Sequence, residues 1–166
     1  MITIEDASVQ DAEAIAEIYN AYVLGSTATF EMDAIDAAEM ARRMAAVQDA
    51  GLPWLLARQG DAVLGYAYAS SWKTRAAYAR TVETSIYLAP QACGAGFGKR
   101  LYVALLDRLR ENRIHVAIGG IAQPNPVSVR LHEALGFSPI GCFREVGWKQ
   151  ERWVDVGYWQ LMLEAA

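Results

Sequence analysis

Residues 81–100, TVETSIYLAPQACGAGFGKR, carry the pattern that decides the fold of this chain. The first eight are rich in β-branched and aromatic side chains, which predicts a strand, and Pro90 ends it. Three glycines at 94, 96 and 98 then lead into a helix with an apolar stripe at Leu101, Leu105 and Leu109. A glycine loop between a strand and a helix suits an anion, because glycines let the backbone approach closely and the helix N-terminus presents free N–H groups.

The glycine loop fits neither of the two commonest nucleotide-binding patterns. A P-loop needs a glycine separated by four residues from its Gly-Lys pair and Ser or Thr after the pair, whereas Cys93 and Arg100 occupy those positions here. A Rossmann loop needs its third glycine one residue later than Gly98. The diphosphate of coenzyme A remains, with Lys99 and Arg100 adding positive charge at the rim. By itself, a glycine-rich turn before a helix is more often ordinary loop chemistry.

The rest of the chain alternates between helical and strand periodicities, without a repeat, linker or low-complexity segment. The predicted elements, in order, are a strand at Ile2 and Ile4, a helix that begins near Ser8 and Asp11 and ends at Gly25, a helix from Asp36 to Gly51, a hairpin of strands 54–57 and 63–68, the strand and helix described above, a strand at 116–121, a helix at 128–135, and strands near 138–143 and 153–163 joined by a turn around Gly147. This order predicts a single α+β domain over residues 1–166.

Composition restricts the class of protein and of partner. With 54% hydrophobic and 20% charged residues in a chain of 166, one globular core is expected. A net charge of −4 argues against nucleic acid as a partner and leaves a small molecule as the default. No apolar run is long enough to span a bilayer and residues 1–6 do not read as an export signal, so we expect no membrane contact and a cytoplasmic location. The two cysteines lack a CxxC pair and neighbouring histidines, which predicts free thiols and no metal site.

Further motifs surround the loop in one order along the chain. They are Ile18-Tyr19-Asn20 and Ser26 to Phe30 near the start, Trp72-Lys73-x-Arg75-x-Ala77-Tyr78-x-x-Thr81-Val82-Glu83 before the loop, Pro124-Asn125-x-x-Ser128-Val129-Arg130-Leu131-His132-Glu133-Ala134-Leu135-Gly136-Phe137 after it, and Trp153-x-Asp155-Val156-Gly157-x-Trp159-Gln160 near the end. Together they resemble the phosphinothricin acetyltransferase family of GNAT N-acetyltransferases over nearly the whole chain.

The resemblance implies a fold, a reaction and an assembly. The fold is the GNAT fold, in which helices flank a mixed, mostly antiparallel, V-shaped split sheet. Acetyl-CoA, the cosubstrate, would lie between two splayed strands and donate its acetyl group to a small amino-acid-like amine. The implied substrates are of the phosphinothricin, methionine sulfoximine and methionine sulfone type, and the implied assembly is a homodimer.

Two other functions stay open at this point. A broader amino-acid or protein N-terminal acetyltransferase would share the fold and the cofactor, because fold-level analogy is a poor guide to the exact substrate. A non-catalytic acyl-CoA binding protein would keep the cofactor loop without the chemistry. The presence of Glu83 and His132 argues against this last function.

The glycine loop departs from the family pattern, which reads Gln/Arg-x-x-Gly-x-Gly/Ala. In the register that keeps the spacing to Glu83 and Leu101, Cys93 takes the first place and Gly94 stands where related enzymes often carry Arg. A second register, beginning at Gln91, satisfies the pattern but shifts the loop by two residues. In the first register, which we prefer, a cation facing the diphosphate is missing, and this predicts weaker coenzyme A binding.

Glu83 and His132 are the predicted catalytic residues. A carboxylate on an otherwise apolar strand is desolvated, which raises its pKa and lets it accept the proton of the attacking amine. The alternative for Glu83 is an ion pair with Lys73 or Arg75. His132 stands where many GNAT enzymes keep a Tyr as general acid, so it would protonate the leaving thiolate, help to deprotonate the amine, or make a structural hydrogen bond. His115 starts a strand without an acidic neighbour and is predicted to be structural.

The resemblance also implies which residues hold acetyl-CoA. The splayed strand would supply a backbone N–H group near residues 86–88 to the acetyl oxygen. Asn125 resembles the family asparagine that hydrogen-bonds the pantetheine arm, although an asparagine between two prolines is also a turn former. The complete predicted set is Ile86, Tyr87, Leu88, Gly94, Ala95, Gly96, Phe97, Gly98, Lys99, Asn125 and Ser128.

A basic and aromatic connector, residues 72–80, is the predicted substrate site. Lys73 and Arg75 are expected to clamp a carboxylate or phosphinate, while Tyr78 and Phe30 form walls of the pocket. The alternative interpretation is a solvated basic loop, as for most surface charge runs.

Overall fold

The computed structural model describes residues 2–94 and 96–163, which form seven strands and four α-helices. None of these helices is both long and apolar enough to pass through a lipid bilayer. The elements follow the predicted order. Their bounds are β1 Ile2–Asp6, α1 Ala12–Gly25, α2 Ala37–Asp49, β2 Trp54–Gln59, β3 Ala62–Ser71, β4 Thr81–Leu88, α3 Phe97–Glu111, β5 Val116–Ala122, α4 Pro126–Ala134, β6 Ser138–Lys149 and β7 Arg152–Met162.

The seven strands join in one sheet, in the order β1-β2-β3-β4-β5-β7-β6. Neighbouring strands are antiparallel except β4 and β5, which run parallel. The parallel pairing joins Thr81 to Val116, Val82 to Ala117 and Glu83 to Ile118, and it goes no further. The expected mixed, mostly antiparallel sheet with a split between two strands is therefore confirmed.

Helices cover both faces of the sheet, because successive side chains of β4 point to opposite sides. Thr84 points toward α3, where its hydroxyl group meets that of Tyr102. Tyr87 points toward α1, where its ring packs edge-on against the rings of Tyr19 and Tyr22. The same alternation puts Glu83 on the face of Tyr87, away from α3.

The α4 helix begins at Pro126, two residues before the predicted start at residue 128. Asn125 is its N-cap, and the side-chain oxygen of Asn125 accepts a hydrogen bond from the Ser128 N–H at 3.1 Å. Proline suits the first helical position, since the missing N–H has no partner within the helix there. The second of the two prolines, Pro126, therefore starts the helix.

The predicted turn around Gly147 is wrong. The β6 strand continues to Lys149, and the turn lies at Gln150 and Glu151, which both have positive φ angles. The pairing of β6 with β7 shifts register between Phe143 and Gly147, so the strand is longer than a regular one would be. Gly147 instead allows the Phe30 ring to pack against the backbone of β6, because a Cβ at position 147 would lie 2.3 Å from that ring.

Candidate active site

The split between β4 and β5 opens into a cavity of about 360 Å³, which we call the fork cavity. Because β5 pairs with β4 only as far as Glu83, residues 84–88 of β4 have no strand on that side. The walls of the cavity come from β4, the end of β5, α4 and the start of the glycine loop. They include the predicted cofactor residues Ile86, Tyr87, Leu88, Asn125 and Ser128, together with Tyr22, Ala28, Thr84, Ser85, Cys93, Gly120, Ile121, Ala122, Val127, Leu131 and His132.

A second cavity, of about 410 Å³, holds Glu83 and is called the acid cavity below. Apart from Glu83, its walls are mainly apolar and aromatic. They comprise Thr27, Ala28, Phe30, Gly120, Ala122, Phe143, Val146, Val156 and Tyr158. Ala28, Gly120 and Ala122 border both cavities, so the acid cavity and the fork cavity meet along these three small residues.

Gly120 keeps the meeting point of the two cavities open. A Cβ at this position would lie 3.0 Å from Oε1 of Glu83 and 3.2 Å from the ring of Tyr158. Both distances are shorter than ordinary van der Waals contacts. The missing side chain thus leaves the carboxylate of Glu83 facing the space between the cavities.

Glu83 is half-buried, and burial raises the pKa of its carboxyl group. The positive charge of Lys73 acts in the opposite direction and lowers that pKa. Over the described residues, however, no Lys or Arg nitrogen pairs with Glu83 as an ion pair: Nζ of Lys73 lies 4.8 Å from the centre of the Trp72 ring instead. The carboxylate is therefore available to accept a proton.

His132 lies in the wall of the fork cavity with 4% of its surface exposed. Its Nδ1 is 2.8 Å from the carbonyl oxygen of Ser128, and its Nε2 is 3.0 Å from the hydroxyl group of Tyr102. Burial lowers the pKa of the imidazole, whereas the hydrogen bond to Ser128 raises it. Both ring nitrogens are thus engaged by the protein itself.

The glycine loop ends at the N-terminus of α3. Gly94 and Gly96 have φ angles of 81° and 79°, which favour glycine, and Gly96 is the N-cap. An arginine in place of Gly94 would be strained by that angle. The first hydrogen bond of the helix runs from the Arg100 N–H to the Gly96 carbonyl oxygen. The N–H groups of Phe97, Gly98 and Lys99 come before it in the chain and have no acceptor within the helix. The predicted cofactor residue Ala95 lies outside the described residues.

Of the four predicted substrate residues, only Phe30 lines the acid cavity. Lys73 is exposed and lies at its edge, since Trp72 beneath it packs edge-on against Tyr158 with ring centres 5.8 Å apart. Arg75 and Tyr78 lie on an exposed 3₁₀ turn and border neither cavity. The basic connector therefore reaches the site only through Trp72 and Lys73.

Sequence reasoning missed Gly120 and Tyr158 at the acid cavity and Tyr102 beside His132. Two adjacent glycines inside a predicted strand, at 119 and 120, were a usable signal, because glycine in a strand often marks a close approach. Tyr158 and Tyr102 had no such signal, since either reads as an ordinary apolar position of its strand or helix.

Within residues 2–94 and 96–163, no three His, Cys, Asp or Glu side chains cluster as metal ligands would.

Comparisons with known proteins all indicate the same family. The sequence profile of the acetyltransferase (GNAT) domain matches residues 4–157. Phosphinothricin N-acetyltransferase of Alcaligenes faecalis is 40% identical over 93% of this chain and 79% of its own length. L-methionine sulfoximine/L-methionine sulfone acetyltransferase of Salmonella typhimurium is 36% identical over 98% of this chain and 95% of its own.

A solved structure extends the agreement to three dimensions. The crystal structure of a GNAT superfamily phosphinothricin acetyltransferase from Sinorhizobium meliloti, in complex with acetyl-CoA, superposes with a TM-score of 0.94 at 40% identity. The match covers 98% of this chain and 88% of that one.

Proposed function

Since this chain belongs to the GNAT acetyltransferase family, we propose that it transfers the acetyl group of acetyl-CoA to the amine of a small amino-acid-like substrate. One observation carries the proposal: the fork cavity, suited to a thioester arm, meets the acid cavity, which holds a proton acceptor, at Gly120. Transfer between two substrates needs such a junction, because donor and acceptor must approach within reacting distance. The whole chain, 1–166, would act as one N-acetyltransferase domain.

The fork cavity offers acetyl-CoA three kinds of contact. The N-terminal N–H groups of α3 and the glycine loop are placed for the diphosphate. The edge of β4 that faces β5 is open beyond Glu83, so its backbone groups at residues 84–88 are available to the pantetheine arm and the acetyl oxygen. The Asn125 oxygen already caps α4, which leaves its amide N–H groups for that arm.

Glu83 is the proposed base. Acetyl-CoA supplies an acetyl group activated as a thioester. The amine nitrogen forms a bond to the acetyl carbon as the carbon–sulfur bond breaks, the nitrogen gives its proton to Glu83, and the electron pair of the broken bond leaves with the sulfur. The raised pKa of Glu83 suits this task, because a more basic carboxylate accepts a proton more readily.

His132 has three possible roles from the sequence, and its contacts favour the structural one. Its Nδ1 donates to a carbonyl oxygen, so in the neutral ring Nε2 is an acceptor and carries no proton to give. Burial also lowers its pKa and works against the protonated form that an acid needs. We therefore assign the proton chemistry to Glu83.

The proposed substrates are amino acids of the phosphinothricin, methionine sulfoximine and methionine sulfone type, as in the relatives described above. The acid cavity supports this class with an apolar wall for a short side chain, formed by Phe30, Val146 and Val156. Lys73 at the edge would meet the carboxylate of the substrate. Arg75 and Tyr78 would contact a substrate only if the connector bent toward the cavity.

A thiol-release screen tests the function. Purified protein and acetyl-CoA are offered phosphinothricin, methionine sulfoximine, methionine sulfone, the twenty amino acids and short peptides. We expect release with the first three, and we expect Glu83→Gln to lower kcat about 10²- to 10⁴-fold while acetyl-CoA affinity is kept. Glu111→Gln, on the exposed end of α3, is the matched control and should leave kcat unchanged.

The alternatives give different results in the same screen. Turnover with peptides but with none of the small amines would indicate a protein N-terminal acetyltransferase. Acetyl-CoA binding without amine-dependent thiol release would indicate a non-catalytic acyl-CoA binding protein and would overturn the proposal.

We also propose a homodimer, formed through β6. This strand is one of the two edges of the sheet, and its exposed large apolar side chains are Ile140, Phe143, Val146 and Trp148. An open apolar edge favours pairing with a second copy, which would cover both its backbone groups and its side chains. A cytoplasmic location completes the proposal and suits the free thiols of Cys93 and Cys142.

A further inference from the structure

Three buried side chains connect the two strands of the split with the two helices beside it. The hydroxyl groups of Thr84 on β4 and Tyr102 on α3 are 2.6 Å apart, and the Tyr102 hydroxyl is 3.0 Å from Nε2 of His132 on α4. Thr84 also reaches the carbonyl oxygen of Ile118 on β5, at 3.2 Å. We call Thr84, Tyr102 and His132 the fork cluster; their exposed fractions are 4%, 0% and 4%.

The fork cluster lies where the sheet divides. Ile118 is the last β5 residue paired with β4, and Thr84 is the first β4 residue beyond that pairing. One wall of the fork cavity begins at Thr84, and His132 belongs to the opposite wall on α4. The cluster therefore joins the two walls at the narrow end of the cavity.

The hydrogen bonds of the cluster have one consistent direction when His132 is neutral. A carbonyl oxygen only accepts, so Nδ1 of His132 must carry the proton that it shares with Ser128. Nε2 then accepts from the Tyr102 hydroxyl, and the Tyr102 oxygen in turn accepts from the Thr84 hydroxyl, whose single proton is shared with the carbonyl oxygen of Ile118. The Tyr102 proton has one acceptor, and the Thr84 proton has two, of which the Tyr102 oxygen, at 2.6 Å, is nearer than the Ile118 carbonyl oxygen, at 3.2 Å.

Packing holds the imidazole ring in this orientation. A Cβ at Gly119 would lie 2.6 Å from Nε2 of His132, so the ring sits directly on the backbone of β5. The rings of Tyr102 and Phe137 pack edge-on against it, with centres 5.1 Å and 5.0 Å away. A ring confined on three sides cannot turn to exchange the positions of its nitrogens.

From these contacts we infer that Tyr102 and Thr84 are positioning residues, which hold the Nδ1–H tautomer of His132 in place across the split and so set the width of the acetyl-CoA cleft. The inference rests on the proposed function in one respect, namely that acetyl-CoA occupies the fork cavity. Losing a hydroxyl group of the cluster loosens α3 and α4 against the split strands, and acetyl-CoA binding weakens while the acid-base step at Glu83 is retained.

The tautomer is measured on the unaltered protein, by nitrogen-15 NMR of the imidazole groups at neutral pH. The chain has only two histidines, and the exposed His115 serves as the internal reference for a ring in water. We expect His132 to show a protonated Nδ1 and an unprotonated Nε2. A proton on Nε2 in the neutral ring would overturn the inference, whatever the protein does with acetyl-CoA.

The positioning role is measured with variants that remove or keep one hydroxyl group. Tyr102→Phe and Thr84→Val should each weaken acetyl-CoA binding about three- to tenfold by calorimetry, as expected for one buried hydrogen bond, with kcat changed less than about twofold. Thr84→Ser keeps the hydroxyl group and should restore most of the affinity. Tyr66→Phe is the matched control, since Tyr66 is a buried tyrosine on β3 that stacks on Trp54 and borders neither cavity.

The outcomes separate the inference from the proposed function. Unchanged acetyl-CoA affinity in folded Tyr102→Phe would refute the positioning role. A Tyr102→Phe variant with normal affinity and a collapsed kcat would instead make the cluster part of the proton chemistry. If the unaltered protein itself does not bind acetyl-CoA, the proposed function fails, while the tautomer measurement still decides the geometry of the cluster.

Discussion

The Glu83 carboxylate is subject to two opposing influences on its pKa. Burial raises the pKa and is the larger influence, while the charge of Lys73 lowers it. The sequence allowed an ion pair between Glu83 and Lys73, but this pair does not form, because Lys73 lies over the Trp72 ring. Lys73 therefore lowers the pKa of Glu83 from a distance and does not form an ion pair with it.

The acid limb of the pH–rate profile follows from this arrangement. As the pH falls through the raised pKa of Glu83, the base becomes protonated and kcat/KM should fall. Lys73→Met removes the charge that lowers the pKa of Glu83, so the acid limb should move to higher pH. Lys73→Arg keeps the charge and should leave the acid limb at the same pH. The profile is measured by thiol release across pH 5 to 9. A limb that stays in place in Lys73→Met would show that Glu83 does not control it.

Glu83 also costs stability at neutral pH. A carboxyl group whose pKa is raised in the folded state stabilises the protein below the unfolded pKa and loses that contribution as the pH rises through the folded pKa. Glu83→Gln removes the ionisation, so its Tm should exceed that of the unaltered protein at pH 8 and approach it at pH 4. Thermal denaturation at both pH values checks this, and an equal Tm at pH 8 would contradict it.

Between α1 and α2, residues 26–36 form a loop that gives Thr27, Ala28 and Phe30 to the cavities. Several hydrogen bonds fasten it, among them those of two cations. Arg43 of α2 makes a double hydrogen bond to Glu31, at 2.6 and 2.7 Å, and the buried Lys149 of β6 donates to the carbonyl oxygen of Thr29 at 2.8 Å. The end of β6 thereby supports a wall of the acid cavity.

The contact between β6 and this loop predicts a difference between two glycines of one strand. In Gly147→Ala the new Cβ would meet the Phe30 ring, which must move out of the acid cavity wall. We expect KM for the amine to rise about three- to tenfold and the free energy of unfolding to fall by about 1–3 kcal/mol, with acetyl-CoA affinity unchanged.

The matched control for that change is Gly141→Ala, because nothing lies within 4 Å of a Cβ at position 141. Steady-state kinetics and denaturant unfolding compare the two variants. Equal KM values in both would mean that the contact between Phe30 and Gly147 does not shape the cavity.

At the scale of the whole molecule, the exposed edge of the sheet predicts the assembly. Trp148 is 53% exposed on β6, borders neither cavity and would lie within the proposed dimer contact. A charge buried there has no partner, so Trp148→Glu should give monomers in size-exclusion chromatography with light scattering. Leu24→Glu, at another exposed apolar site on α1, should leave the dimer intact. A monomeric unaltered protein would refute the homodimer.

Local sequence patterns predicted the helices and strands, but they misplaced the ends of those elements whose bounds depend on contacts with distant residues. Periodicity found all four helices and all seven strands, because burial of one helix face or strand face repeats along the sequence. The start of α4 and the end of β6 were misplaced, since a side-chain cap and a register shift depend on neighbours that periodicity does not contain.

The sequence by itself determined the order of the elements, the glycine loop before α3 and the position of Glu83 on an apolar strand, because these depend on residue type and spacing alone. Only the tertiary structure decided that Glu83 faces a cavity shared with the fork, that Lys73 reaches its edge while Arg75 does not, and that both nitrogens of His132 are already bonded. The reason is that the acid cavity lies between elements. Its walls come from β4, β5, β6 and β7 and from residues 26–36, which meet only once the sheet has paired and divided.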